Sequence, residues 1–268
     1  MGLLKNLKKQ KGFENVEFNT ENEAERHLVT LGVHPRVIEI LKLPQHEQRS
    51  LEWFAQRKEK LTASDIDAVC GNNKYSSRDD VLFKKHGVSP PFTGNAATLH
   101  GQKYEDEAIG HYCRLMNKNV FDFGLLPHPN IPFLAGSPDG ITWDGIVLEV
   151  KCPLRRKIVK GEIPKHYMGQ ILINMEISNL DRGVFIEYIP KDLSKTGEIE
   201  LNIVPLNRNP KWFEEIYPKV SSFWEEYGLY KEKGIEAHPE YKKYFLKANP
   251  VCLAQPENFD PEKNIVGN

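Results

Sequence analysis

Apolar and polar positions repeat along this chain with two periods, and the switch between them predicts its elements. Leu51, Phe54 and Ala55 recur at helical spacing, which predicts a helix from Gln48 to near Lys60. Thr62 or Ser64 offers the N-cap of a following short helix, and Gly71 its stop. Ser76-Ser77-Arg78 opens another helix that runs through Lys85 to a stop at Gly87. Beyond a loop at Ser89–Asn95, a long helix is predicted from Ala97 to about Asn117. Its core stripe is Tyr104, Ala108, Tyr112, Leu115 and Met116. Period two then takes over, with strands predicted at Val120–Leu126, Ile131–Ala135 and Ile146–Lys151. In the last of these, Ile146, Leu148 and Val150 point one way, and Val147, Glu149 and Lys151 the other. Asp144-Gly145 is a hairpin signal that pairs Ile141-Thr142-Trp143 back onto that strand. A helix from Pro164 to about Ser178 turns Met168, Ile171, Leu172 and Met175 to the core and keeps Tyr167, Gln170 and Asn174 on one polar side. Strands at Gly183–Ile189 and Glu198–Val204, an amphipathic helix from Trp212 to about Lys233 and a short helix near Tyr241–Leu246 complete the pattern.

Composition narrows the class of protein. A chain of 268 residues can bury roughly three quarters of its unfolded surface. A formal net charge of -1 excludes a global basic field, so any nucleic-acid partner must be held by a local basic surface. Cys70, Cys113, Cys152 and Cys252 are far apart and unpatterned, which fits buried thiols in a reducing compartment. No apolar run approaches a membrane span, and the lysine-rich start (Lys5, Lys8, Lys9, Lys11) lacks the apolar core of a signal peptide. That start reads first as a solvated tail. The expectation is a soluble intracellular or intraviral protein.

The candidate chemistry sits at the predicted hairpin. Asp139 lies in the turn Ser137-Pro138-Asp139-Gly140, and Glu149 and Lys151 share one face of the strand end. Two converging carboxylates repel and attract a cation. A hard ion such as Mg²⁺ takes oxygen ligands and keeps room for a substrate phosphate. A lysine beside it can serve the attacking water and the charge that builds on the phosphate. The spacing D-x9-E-x-K therefore reads as a site for metal-assisted phosphodiester hydrolysis. Taken alone, Asp-Gly in a turn and Glu-x-Lys on a strand are more often plain structural devices. Other candidates also have ordinary readings. Ser64 is a cap or, with Arg57 nearby, part of a phosphate seat. Glu105, one step from the core stripe of its helix, is a surface glutamate or a third acid. Gln170 is a satisfied surface amide or a hydrogen-bond partner of the site. The basic run Arg155, Arg156, Lys157, Lys160, Lys165 and His166 is a solvated loop or a contact for a DNA backbone.

The order of these features is more specific than any one of them. Trp53 and Arg57 precede Thr62-Ala63-Ser64. Leu99-His100-Gly101-Gln102-Lys103-Tyr104-Glu105, Gly136-Ser137-Pro138-Asp139-Gly140, Leu148-Glu149-Val150-Lys151-Cys152-Pro153 and Tyr167 with Gln170 follow in turn. From about Gln48 to Pro190 this series resembles the phage lambda exonuclease family of YqaJ-like viral recombinases, in the PD-(D/E)XK nuclease superfamily. The resemblance implies an α/β (α+β) fold with a central mixed sheet flanked by helices. It implies an Mg²⁺-dependent enzyme, with Mn²⁺ able to substitute, that digests linear double-stranded DNA from the 5′ end and leaves a 3′ strand. Asp139, Glu149 and the Val150 carbonyl would bind the metal, Lys151 would serve the water, and Glu105 and Gln170 would complete the site. Arg57 and Ser64 would hold the 5′-phosphate. A single-strand annealing protein is the implied partner, and a phage or large DNA virus, acting in its host cell, the implied source. On this reading residues 1–45 are an N-terminal extension, 46–235 the exonuclease domain and 236–268 a peripheral segment, with the oligomeric state left open. An endonuclease of the same superfamily and a catalytically silent DNA-end-binding module are the alternatives.

Overall fold

The computed structural model describes residues 2–88 and 94–248. The predicted loop from Ser89 and the proline-broken tail with Cys252 therefore fall wholly or partly outside the described residues. The described chain divides into two compact units: 2–67 with 94–215, and 68–88 with 216–248.

The first unit begins with helices α1 (Gly2–Leu7), α2 (Glu21–Thr30), α3 (Pro35–Lys42) and α4 (Leu51–Lys58). The lysine-rich start is not a solvated tail as a whole. Its lysines are exposed, but Leu3 and Leu7 are buried and the Asn6 side chain donates to the Leu41 and Leu43 carbonyls at 2.7 and 2.8 Å. Ser50 caps α4 by accepting from the Trp53 amide. Strand β1 (Leu61–Thr62) leads into a 3-10 turn at Ala63–Asp65 and the single-turn helix α5 (Ile66–Val69). The helix expected here is thus short, and Thr62 makes no capping bond because its hydroxyl turns to Asp65 instead.

After α6 (Arg78–Lys85) in the second unit, α7 (Ala96–Met116) returns to the first. Tyr104, Ala108 and Tyr112 are buried as expected, whereas Leu115 and Met116 are exposed. They fall in the last turn, just before the chain leaves the helix through left-handed Asn117. The strand expected at Val120–Leu126 is two strands in different sheets, β2 (Val120–Phe121) and β3 (Leu126–Pro127). The backbone between them is pinned by side chains rather than by a neighbouring strand. Gln10 brackets Asp122, accepting from its amide and donating to its carbonyl. Gln48 donates to the Phe123 carbonyl, and Gln45 accepts from the Gly124 amide.

Strands β4 (Leu134–Gly136), β5 (Gly140–Thr142) and β6 (Ile146–Lys151) follow, then α8 (Lys165–Ser178), β7 (Arg182–Ile189) and β8 (Glu200–Asn207). The hairpin forms as predicted, with Gly140 opposite Leu148, Ile141 opposite Val147, and Gly145 at φ +80° in the turn. The expected mixed sheet is present with a small companion. Five strands run β2-β5-β6-β7-β8, with only β6 and β7 parallel, and three run β1-β4-β3. Ile146, Leu148 and Val150 pack with Val184, Ile186 and Tyr188 of β7 and with Tyr104, Ala108 and Tyr112 of α7. The opposite face of β6 meets α8. Glu149 therefore lies inside a helix–sheet–helix sandwich, and the end of β6 delivers Lys151 to its rim.

Helix α9 (Pro210–Lys233) carries the chain into the second unit, where α10 (Tyr241–Ala248) lies near α6. Within that unit Phe83 stacks on Tyr244 at 4.2 Å between centroids, and Arg78 pairs with Glu226. Cys113 and Cys152 are free thiols. Among the described residues no helix is long and apolar enough to cross a membrane.

Candidate active site

The turn before β5 and the end of β6 are tied together through Asp139. Its amide donates to the Leu148 carbonyl at 3.2 Å, and its Oδ2 accepts from the Val150 amide at 2.6 Å. The amide and carbonyl of one strand residue face the same neighbour. The Val150 carbonyl thus faces the edge on which Asp139 sits. Glu149 has no exposed surface: Oε1 is paired with the Lys151 ammonium, and Oε2 accepts from Asn174 Nδ2 of α8 at 3.2 Å. Glu105 projects from α7 to meet Arg49 Nη2 at 3.1 Å. The Lys151 ammonium also lies 5.2 Å from the centroid of Tyr167.

Crowding acids in a dry place raises their hold on protons. Glu149 is pushed up to about 8, by burial first and then by Asp139 and Glu105, against the pull of Lys151. Glu105 is pushed up to about 7, again by burial first and then by Asp139. Asp139 is raised by its burial. Burial works to lower Lys151, but Glu149 and Asp139 overcome it and hold the ammonium charged. Among the described residues no three His, Cys, Asp or Glu side chains close into a finished metal cage. The donors present nonetheless fit a hard divalent cation. They are carboxylate and carbonyl oxygens, and the charge conflict between them is one that a cation relieves.

Arg57 and Ser64 come together as expected. Arg57 Nη2 donates to Ser64 Oγ at 3.0 Å and to Thr62 Oγ1 at 3.3 Å, and Thr62 Oγ1 donates to Asp65 at 2.9 Å. The guanidinium stacks over Trp53, 4.3 Å from the ring centroid. Trp53 Nε1 in turn donates to Ser137 Oγ at 3.0 Å, two residues before Asp139. Gln170 is anchored through its backbone. Its backbone amide donates to Asp67 at 3.3 Å, and the residue of α8 that reaches Glu149 is Asn174, one turn on. Asn174 was visible as part of the same polar stripe. Arg49 was missed. It has a left-handed backbone, φ +69°, and lines a cleft of roughly 500 Å³ together with Glu105 and Asp139. Nothing in its local sequence marks it. Asn6, Lys9 and Gln10 line the same cleft, so the N-terminal helix borders the site.

Comparison with known proteins finds similar sequences and a similar fold. Residues 52–181 match the YqaJ-like viral recombinase domain. An uncharacterised protein of Acanthamoeba polyphaga mimivirus, R354, is 32% identical over 64% of this chain, a match that spans about a third (34%) of that relative's length. Protein D345L of African swine fever virus, Malawi isolate, is 24% identical over 78% of this chain and 67% of its own. Among solved structures, an alkaline exonuclease, LHK-Exo from Laribacter hongkongensis, has a TM-score of 0.56 at 24% identity, over 75% of this chain and 100% of that one. LHK-Exo in complex with dAMP gives a TM-score of 0.57. The fold is that of this alkaline exonuclease. Within it, residues 52–181 are similar to the YqaJ-like viral recombinase domain.

Proposed function

We propose that the chain is a divalent-metal-dependent exodeoxyribonuclease that digests linear duplex DNA from the 5′ end, with Mg²⁺ as its ion and Mn²⁺ as a substitute. The observation that carries this reading is the meeting of Asp139, Glu149 and Lys151 at one end of β6, with Glu105 beside them. Asp139, Glu149 and the Val150 carbonyl would hold the metal, which when bound would polarise the scissile phosphate and stabilise the charge that develops on it. The chain's own residues do the rest. Lys151 orients the attacking water and offers its ammonium to the phosphate oxygens. Asn174 fixes the Glu149 carboxylate, so the group that meets the ion does not turn away. Glu105 is the third acid, able to take up a proton near neutral pH. Gln170, one turn before Asn174, is assigned to the site by the resemblance alone. Arg57 and Ser64 bind the terminal 5′-phosphate and so place the end of the strand. Trp53 and Ser137 link that seat to the turn of Asp139.

The product is a duplex with a 3′ single strand, the substrate class of a strand-annealing protein, and the viral relatives suit an enzyme at work inside an infected cell. The test is release of acid-soluble nucleotides in Mg²⁺ from three duplexes: linear with a 5′-phosphate, linear with a 5′-hydroxyl, and covalently closed circular. Fast release from the first, slow release from the second and none from the third is expected. Cutting of the circle would replace this reading with an endonuclease, and DNA binding without release from any duplex with a silent end-binding module.

A further inference from the structure

Two side-chain nitrogens of the first unit are buried without a hydrogen-bond partner and line one cleft. They are Nε2 of His100, on α7, and Nη2 of Arg156, in the loop that follows β6. The cleft is small, roughly 150 Å³. A buried donor left without an acceptor is costly and rare, so two at one place point to an acceptor that arrives from outside. The lining charge says which kind. Arg155, Lys157 and Lys195 join Arg156 in the wall, and the acid among them, Glu200, already accepts from Ser194 at 2.7 Å.

The loop is built rather than loose. Arg156 Nη1 is paired with Glu187, which is buried on β7, and this leaves Nη2, on the other edge of the guanidinium, without a partner. Asn202 of β8 donates to the Val159 and Glu162 carbonyls and accepts from the Gly161 amide. Burial, with Lys103 adding to it, keeps His100 below the usual histidine range, so the ring meets its ligand neutral, with one N–H to donate.

We propose that this cleft is a second phosphate seat, which holds an internal backbone phosphate of the DNA strand entering the catalytic site. It is separate from the terminal seat at Arg57 and Ser64. Its place follows from Tyr167, whose ring centroid is 5.2 Å from the Lys151 ammonium and 5.6 Å from the Arg156 guanidinium. The seat therefore lies within about three nucleotide rises of Lys151, each about 3.4 Å along one strand. The assignment rests on the reading of the chain as a nuclease on duplex DNA.

The test measures binding to short duplexes by fluorescence anisotropy in a chelating buffer, where cleavage is absent, with 5′-phosphate and 5′-hydroxyl ends in parallel. His100→Ala removes the imidazole and with it a ring contact to Tyr104 at 4.8 Å between centroids. Arg156→Lys keeps the charge beside Glu187 and loses the second N–H edge, and thermal unfolding checks that both variants fold. Each is expected to weaken binding by about tenfold, equally for both ends, and Lys157→Ala to lower the slope of log affinity against log salt by about 0.9. A loss confined to 5′-phosphorylated DNA would move the contact to the strand terminus and overturn the proposal. Unchanged DNA affinity would also overturn it. If inorganic phosphate then shifted the His100 ring resonance, the cleft would be a site for free phosphate. Nucleotide release by the wild-type protein in Mg²⁺ is scored separately. Weakened binding in the variants with no release by wild type keeps the seat and removes the nuclease reading. Release with unaltered variant binding removes the seat alone.

Discussion

The end of β6 and the Arg57 cluster stand on either side of Trp53 and Ser137, and their charges are arranged in opposite ways. Asp139, Glu149 and Glu105 are acids placed where burial and mutual repulsion push each toward its protonated form, with one ammonium among them. Arg57 is a cation that donates to two hydroxyls, with Asp65 behind Thr62. The first group is in conflict until a cation arrives. In the second, Arg57 Nη2 donates to two hydroxyl oxygens, which a phosphate outcompetes because a charge-assisted hydrogen bond is roughly twice as strong. One region calls for a metal and the other for an anion, and the Trp53–Ser137 bond joins the two. On the proposed function, a strand end bound at Arg57 would thereby be referred to the acids.

The strongest way to break this contrast is to remove the ammonium from the acidic side. Lys151→Ala should lower nucleotide release by about a thousandfold, within the range for loss of a group that serves proton transfer. DNA affinity should stay within about threefold of wild type. Equal losses in binding and release would mean that Lys151 holds DNA rather than serving the water.

The acid conflict should also be legible in stability without any substrate. Glu149 and Glu105 ordinarily titrate near 4.5, but in the folded chain at about 8 and about 7. Between those limits the folded state binds more protons than the unfolded one, so the metal-free protein should lose stability as pH rises from about 4.5 to 8. The slope is up to about 1.4 kcal/mol per pH unit for each proton retained. Below that window both states are protonated and the slope vanishes. Denaturant unfolding at several pH values is the measurement. Glu149→Gln should flatten the curve, and so should Mg²⁺, which binds the ionised acids of the native state alone. A wild-type protein that gains stability across the window would show that the carboxylates are not in conflict.

On the opposite side, Arg57→Ala should cancel the preference for a 5′-phosphate. The expected loss on phosphorylated ends is about tenfold to a hundredfold, the scale of a hydrogen bond to a charged group. Release from 5′-hydroxyl ends should barely change. A uniform fall on both substrates would place Arg57 in general DNA binding or in folding.

How much of this was legible in the sequence depends on how far apart the interacting residues lie. The hairpin at Asp144-Gly145 and the faces of β6 are local patterns, and they fix where Asp139, Glu149 and Lys151 fall. The pairing of Arg57 with Ser64 spans seven residues and was equally readable. The division of the stretch from Val120 to Leu126 between two sheets was not. It depends on Gln10, Gln45 and Gln48, and Gln10 reaches its partner across 112 residues with no periodicity to announce it. Gln170 was assigned by the resemblance, whereas the contact of Asn174 with Glu149 depends on how α8 packs against β6, which the shared polar stripe does not reveal.

Arg49 gives the smallest effect, and the one that best sharpens the contrast, because it is a cation on the acidic side. Its pair with Glu105 is half-open to solvent, and such pairs contribute about 0.2–1 kcal/mol, which corresponds to no more than about fivefold in release. Arg49→Gln should produce that loss. It should also shift the acid limb of the pH–rate profile upward, because Arg49 is one of the charges that hold Glu105 down. The backbone offers a second arm. A left-handed conformation costs a residue with a side chain but not glycine, so Arg49→Gly should unfold at higher denaturant than Arg49→Gln, by up to about 1 kcal/mol. If the glycine variant is the more stable and still loses release, the strain is kept at this position for the sake of the guanidinium. If it is the more stable and keeps full release, Arg49 serves only to turn the chain into α4, and the acidic side of the site is completed without it.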